Sequence, residues 1–152
     1  MKARPKVVLL VEDEPLLGEL MTEALTDKGF AVVASTDAGG ALRHLLSGAD
    51  CDILFTDTDL GPGMDGATLA QLVHALRPAL PIVYTSGRRS MQDFATVPGA
   101  TFLPKPYSLS DVDRTLAQKL GETARLSETA PVTPPFRRAP ETAPASGCGN
   151  RR

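Results

Sequence analysis

The chain has 152 residues, 42% of them hydrophobic and 22% charged, with a formal net charge of -2. That size and composition favour one soluble globular domain with room for a tail, and the near-neutral charge gives no general reason to expect nucleic-acid binding. The apolar run after the basic start is cut short by "EDE", too soon for a secretion signal, and no stretch reaches a membrane span, so a soluble, cytoplasmic protein is the expectation.

In chain order, Lys6 to Val11 is a short apolar run of the kind buried on both faces of a sheet. After Pro15, the positions Leu17, Leu20, Met21, Ala24 and Leu25 fall at helical spacing, and Lys28-Gly29 supplies a stop. Phe30 to Ala34 is a second strand. Asp37 caps a helix carrying Ala41, Leu42, Leu45 and Leu46. Ile53 to Thr56 is a third strand, and Leu69, Leu72, Val73 and Leu76 mark a third helix that stops before Pro78. Pro81 to Tyr84 is a fourth strand, followed by a weakly patterned helix over Arg89 to Ala95. Ala100 to Leu103 is a fifth strand, and Ser108 caps a last helix with Leu109, Val112, Leu116 and Leu120 on one face.

Five strand–helix repeats imply an α/β domain with a parallel sheet and helices on both faces, over residues 1–120. Gly121 to Arg152 is rich in Pro, Thr, Ala and Arg and poor in apolar residues, so a largely disordered tail is expected there. Its Arg pairs and Phe136 offer docking groups, although a solvated tail is the simpler reading. Cys51 and Cys148 show neither metal-ligand nor disulfide spacing. His44 and His74 sit within helical patterns, away from the strand ends.

Ligands of such sheets sit beyond the carboxyl ends of the strands. Glu12, Asp13 and Glu14 follow the first strand, Asp57 and Asp59 the third, Thr85 and Ser86 the fourth, and Lys105-Pro106 the fifth. Several carboxylates at one edge repel, and a bound cation is the natural remedy. Oxygen donors of this kind suit Mg²⁺. Lys105 adds a point charge for an anion and Thr85 a hydrogen-bond donor. The set reads as a Mg²⁺-assisted phosphoryl site.

These residues resemble the receiver domain of two-component response regulators, over about residues 5–120. The resemblance rests on the acidic pair Glu12-Asp13, on Asp57, on Thr85 and on Lys105-Pro106, in that order on a (βα)5 pattern. It implies a flavodoxin-like, doubly wound sheet of strand order 2-1-3-4-5. It also implies a phosphoacceptor switch rather than an enzyme, with Asp57 taking a phosphoryl group from a histidine kinase or a histidine phosphotransfer protein. By the same resemblance, Glu12, Asp13, Asp57 and the backbone carbonyl of Asp59 hold Mg²⁺. Lys105 pairs with Asp57, Thr85 moves toward the phosphoryl oxygens, and Phe102 changes rotamer with it. Homodimers through the face made by the fourth and fifth helices are common in that family.

The loop "LGPGMDG" is one residue longer than the family's usual form, and Gly61, Gly63 and Gly66 are expected to supply unusual backbone angles. Asp59 is an acid where the family varies, which makes its side chain a candidate for setting the lifetime of the phosphoryl group. Arg88 and Arg89 are candidate partner contacts on an otherwise solvated surface. With only a tail after Leu120, the expectation is a stand-alone receiver acting on a downstream protein or in a phosphorelay.

Two alternatives stand beside it. "LFTDTDL" resembles the strand and D-x-D of haloacid-dehalogenase phosphatases, but it follows the third strand rather than the first, and Leu60 replaces the usual Thr or Val. A degenerate receiver that works without phosphorylation is the other.

Overall fold

The computed structural model describes residues 4–87 and 97–129, with side chains described as far as Gly121. The elements are β1 (Val7–Val11), α1 (Pro15–Asp27), β2 (Ala31–Ser35), α2 (Ala38–Leu46), β3 (Ile53–Asp57), α3 (Gly66–Leu76), β4 (Ile82–Ser86), β5 (Thr101–Pro104) and α4 (Leu109–Thr129). The helix expected over Arg89 to Ala95 lies outside the described residues.

All five strands are parallel, in the order β2-β1-β3-β4-β5. The fold class read from the sequence is therefore the observed one. Alternation along β1 fixes the two layers. Val8 and Leu10 join Met21 and Leu25 of α1 and Val112 and Leu116 of α4 on one face. Leu9 and Val11 join Ala41 and Leu45 of α2 and Leu69 and Val73 of α3 on the other. Each fully buried Leu or Val contributes about 1.5–3 kcal/mol relative to exposure, so these two clusters dominate the drive to fold.

The helices start where the chain supplies acceptors for their first N–H groups. Asp37 Oδ1 accepts from Gly40 N at 2.7 Å, and Asp65 Oδ1 accepts from Thr68 N at 2.8 Å. Ser108 and Asp111 form a reciprocal cap, each backbone N–H donating to the other's side chain at 3.0 Å. α4 does not stop at Leu120 but continues to Thr129. The residues it adds include Glu, Ala, Arg and Leu, all good helix formers. Residues 130–152 of the tail lie outside the described residues.

Two local expectations change. Asp52, just before the third strand, reads from the sequence as a solvated turn residue, but the structure gives it partners. Its carboxylate accepts Val7 N at 2.7 Å and is gripped by both terminal nitrogens of Arg4 at 2.9 and 3.1 Å, which ties the amino end of β1 to the start of β3. Burial opposes ionisation of Asp52, but the Arg4 and Val7 hydrogen bonds outweigh it and hold the carboxyl below its usual range.

Gly66 differs from its neighbours in the loop. Gly61 and Gly63 have φ of 76° and 95°, as expected of glycines placed for backbone freedom. Gly66 instead begins α3, with its N–H donating to Thr58 O at 3.0 Å. A Cβ there would lie 1.9 Å from the carbonyl oxygen of Asp57. Glycine is required by close approach, because the start of α3 packs directly on the backbone behind Asp57. Gly18 in α1 makes the contrast, since a Cβ there would meet only Glu12 side-chain carbons at 3.9 Å. We therefore expect Gly66→Ala to lose about 3 kcal/mol or more in urea unfolding, and Gly18→Ala to match or exceed the wild type by up to ~1 kcal/mol. Equal effects of the two substitutions would contradict this account.

Candidate functional site

The strand order reverses between β1 and β3, so the chain leaves these two neighbours in opposite directions and opens a crevice at their carboxyl ends. Asp57 is the last residue of β3 and 4% exposed. Glu12 and Asp13 follow β1 directly, the first buried and the second exposed. One carboxylate oxygen from each of the three lies within 4.8 Å of the others.

The backbone holds each group in place. Glu12 N donates to Ser35 O at 3.0 Å, extending the β1–β2 ladder by one residue. Glu12 Oε2 accepts Glu14 N at 3.2 Å, which turns its side chain into the crevice mouth. Asp57 Oδ1 accepts Asp59 N at 2.9 Å, so the turn after β3 folds the main chain of Asp59 back over the carboxylate.

Lys105 reaches the cluster from β5. Its Nζ donates to Asp57 Oδ2 at 2.7 Å, and its own N–H donates to Ser86 O at 3.1 Å, tying the ends of β4 and β5 together. The Lys105-Pro106 peptide is cis. Thr85 pairs with Asp57 in the β3–β4 register, which puts both side chains on the same side of the sheet. The Thr85 side chain is 1% exposed, and its Oγ1 has no hydrogen-bond partner among the described residues. A buried hydroxyl left without a partner costs about 1–3 kcal/mol, so it needs a reason.

Phe102 lies further back, opposite Tyr84 in the β4–β5 register. The two rings meet edge to face with centroids 6.2 Å apart. Phe102 precedes Leu103, the register partner of Thr85, and its ring packs with Tyr84 on the face of the sheet opposite to the Thr85 side chain. The structure brings Glu12, Asp13, Asp57, Asp59, Thr85 and Lys105 to one sheet edge, with Phe102 adjoining it. His44 and His74 lie on α2 and α3, away from it.

Two residues that the sequence reading left out, Thr58 and Tyr107, and one that it read differently, Gly66, help to shape this site. Thr58 donates both its N–H, at 2.9 Å, and its Oγ1, at 3.0 Å, to Thr85 O, and so fixes the distance between the ends of β3 and β4. Its place between two aspartates disguised it as loop. Gly66 brings α3 against Asp57, as described above. Tyr107 packs edge to face on Phe55 at 6.3 Å, and its hydroxyl donates to Met21 Sδ at 3.5 Å. Burial pushes this phenol up to about 12, so it stays a neutral wall beside Lys105.

Electrostatics are one-sided. Burial, with the charge of Asp57 close by, raises Glu12 to about 7, although the Glu14 N–H pulls the other way. For Lys105 burial favours loss of the proton, but the hydrogen bond and charge of Asp57 outweigh it and raise its affinity. Among the described residues, the ammonium of Lys105 faces three carboxylates. A small divalent cation held by Glu12, Asp13 and Asp57 resolves that imbalance, and the three oxygens are near enough to share one.

Comparison with known proteins agrees with this geometry. The response regulator receiver domain profile matches residues 8–117. The transcriptional regulatory protein TctD of Salmonella typhimurium is 32% identical over 120 residues, which are 77% of this chain and 53% of that protein. This chain spans about half the length of that relative. A crystal structure of a response regulator receiver protein from Sinorhizobium medicae superposes with a TM-score of 0.73 at 30% identity, covering 78% of this chain and 97% of that one. A CheY-like receiver domain protein from Methanospirillum hungatei gives a TM-score of 0.73 at 25% identity, over 80% and 98% of the two chains. The cluster of Glu12, Asp13 and Asp57 fits the Mg²⁺ site of receivers. Among the described residues, no helix is long and apolar enough to cross a membrane.

The raised affinity of Glu12 has a consequence for stability. The folded chain holds this proton up to about pH 7, whereas the unfolded chain releases it near 4.5. Without divalent cations, the contribution of Glu12 is therefore fully present below 4.5 and is lost as pH rises through about 7. In EDTA, the melting temperature should fall from the acid to the alkaline side of neutrality. Glu12→Gln should remove much of that fall and melt higher than the wild type on the alkaline side. A steeper fall in the variant would contradict this.

Proposed function

The chain belongs to the response regulator receiver domain family, and from that premise we propose that it is a phosphorylation switch whose acceptor is Asp57. The observation that carries this reading is the part-buried Asp57–Lys105 pair at 2.7 Å, flanked by two further carboxylates and by the Thr85 hydroxyl, which has no partner among the described residues.

The chemistry follows from the residues. An Asp carboxylate is a competent covalent acceptor, and phosphoryl transfer is catalysed chiefly by positioning and charge neutralisation. The donor is a phosphohistidine on a histidine kinase or a phosphotransfer protein. An oxygen of Asp57 attacks phosphorus, the P–N bond of the donor breaks, and an acyl phosphate forms. The Asp59 N–H and Lys105 Nζ hold the carboxylate in one orientation for that attack. Mg²⁺, held by Glu12, Asp13, Asp57 and the Asp59 carbonyl, supplies charge neutralisation for the incoming phosphoryl oxygens. Lys105 then exchanges its carboxylate partner for a phosphoryl oxygen.

Thr85 supplies the readout. Its hydroxyl, without a partner among the described residues, gains one when phosphoryl oxygens arrive beside Asp57, and by the family resemblance Phe102 changes rotamer with it. The new charge thereby biases a packed element between two arrangements. The output is contact with another protein, or passage of the phosphoryl group along a relay.

A haloacid-dehalogenase phosphatase is the weaker reading. Asp57 ends β3 and Asp59 lies just beyond it, on the third strand rather than the first, and Glu12 and Asp13 after β1 already offer the carboxylates for a metal. A degenerate receiver would leave the Asp57–Lys105 pair and the Thr85 hydroxyl without a use.

Incubation with Mg²⁺ and a small acyl phosphate, followed by intact-mass measurement, tests these readings. The wild type should gain one phosphoryl group, and Asp57→Asn should gain none. Turnover of phosphoesters would point to the phosphatase, and no gain in the wild type would defeat the switch. The Asp59 side chain stands beside the acyl phosphate, where it repels the group or orients water. Asp59→Asn should therefore lengthen the phosphorylated lifetime, and equal lifetimes would remove that role.

A further inference from the structure

Thr58 stands directly after Asp57 and is 2% exposed. All of its polar groups are engaged. Its N–H and its Oγ1 both donate to Thr85 O, at 2.9 and 3.0 Å, and its own carbonyl accepts Gly66 N at 3.0 Å. The last bond holds Thr58 from behind, because α3 starts against it: a Cβ on Gly66 would lie 2.8 Å from Thr58 Cα. Thr58 is therefore a fixed post between the start of α3 and the end of β4.

The end of β4 is held from both sides. Thr85 O takes both donors of Thr58, and Ser86 O takes Lys105 N at 3.1 Å from the β5 side. A carbonyl oxygen has two lone pairs, so the two Thr58 donors saturate Thr85 O. The Thr85 side chain contrasts with its main chain. It is 1% exposed, shares the Asp57 side of the sheet, and its hydroxyl has no partner among the described residues. With the main chain clamped, rotation of the side chain is the way for that hydroxyl to answer a new partner. A hydroxyl that turns between staggered positions lands in a set place only if its backbone is fixed.

We propose that Thr58 is a positioning residue for the switch: its hydroxyl pins the Thr85 main chain to the end of β3, so that Thr85 Oγ1 meets the phosphoryl group by rotation about a fixed backbone. The proposal rests on the reading of Asp57 as the phosphoacceptor. Thr58 acts through Thr85 and is given no contact with the reacting atoms. The Thr58 N–H alone would continue the ladder between β3 and β4. The hydroxyl adds a second tether at the residue whose side chain must be aimed. Thr58→Val keeps the branched shape and the N–H bond, and it leaves Thr85 O with one donor, so no buried acceptor is orphaned.

Calorimetric titration of the full chain with beryllium fluoride in the presence of Mg²⁺ tests this, because that anion adds to a carboxylate as a phosphoryl mimic. Thr58→Val should bind it about fivefold to tenfold more weakly than the wild type, the share of a charged hydrogen bond lost when its donor is misplaced. Its affinity for Mg²⁺ alone should equal that of the wild type, since Glu12, Asp13 and Asp57 are untouched. Thr58→Ser keeps the hydroxyl and should recover most of the loss. In a Thr85→Val background, adding Thr58→Val should weaken binding no further, because no hydroxyl remains to be aimed. Equal binding by wild type and Thr58→Val overturns the proposal and leaves the acceptor reading standing. So does a matching loss of Mg²⁺ affinity, a Thr58→Ser variant no better than Thr58→Val, or a further loss in the Thr85→Val background. A wild type that takes up neither beryllium fluoride nor a phosphoryl group defeats the acceptor reading, and the proposal with it.

Discussion

Most of the site depends on one part-buried contact, the 2.7 Å ion pair between Asp57 and Lys105. A carboxylate that ends a fully buried strand pays a large desolvation cost unless a charge and hydrogen bonds answer it. Here the answer comes from the other end of the sheet: Asp57 sits on β3 and Lys105 after β5, with β4 between them. The pair therefore holds only if three strand ends stay level. Thr58 bonded to Thr85 O and Lys105 N bonded to Ser86 O keep them so.

That contact also explains why the remaining charges are left unbalanced. Lys105 offers one positive charge to a crevice that holds Glu12, Asp13 and Asp57. Fully neutralised, the site would have no affinity for a cation or an anion. As built, it favours a proton on Glu12 and presents three carboxylates that fit the receiver Mg²⁺ site. The Thr85 hydroxyl, buried and without a partner among the described residues, carries a similar cost in neutral form. Both features cost stability in the resting fold, as sites that must respond to a ligand commonly do.

Much of this was legible in the chain. The runs read as strands at Lys6 to Val11 and Ile53 to Thr56, with helical spacing between, give the parallel sheet, and the polar residues at or after each strand end then fall at one edge. Asp37, Asp65 and Ser108 cap helices where their residue types suggest. What was not legible depends on distances between segments remote in sequence. Gly66 reads as one more loop glycine until α3 is placed against the Asp57 carbonyl. Asp52 reads as a solvated turn acid until Arg4 and Val7 N are brought to it across 48 and 45 residues. Thr58 reads as loop until β4 is set beside β3. Periodicity reports which face a residue takes and carries no information about such close approaches.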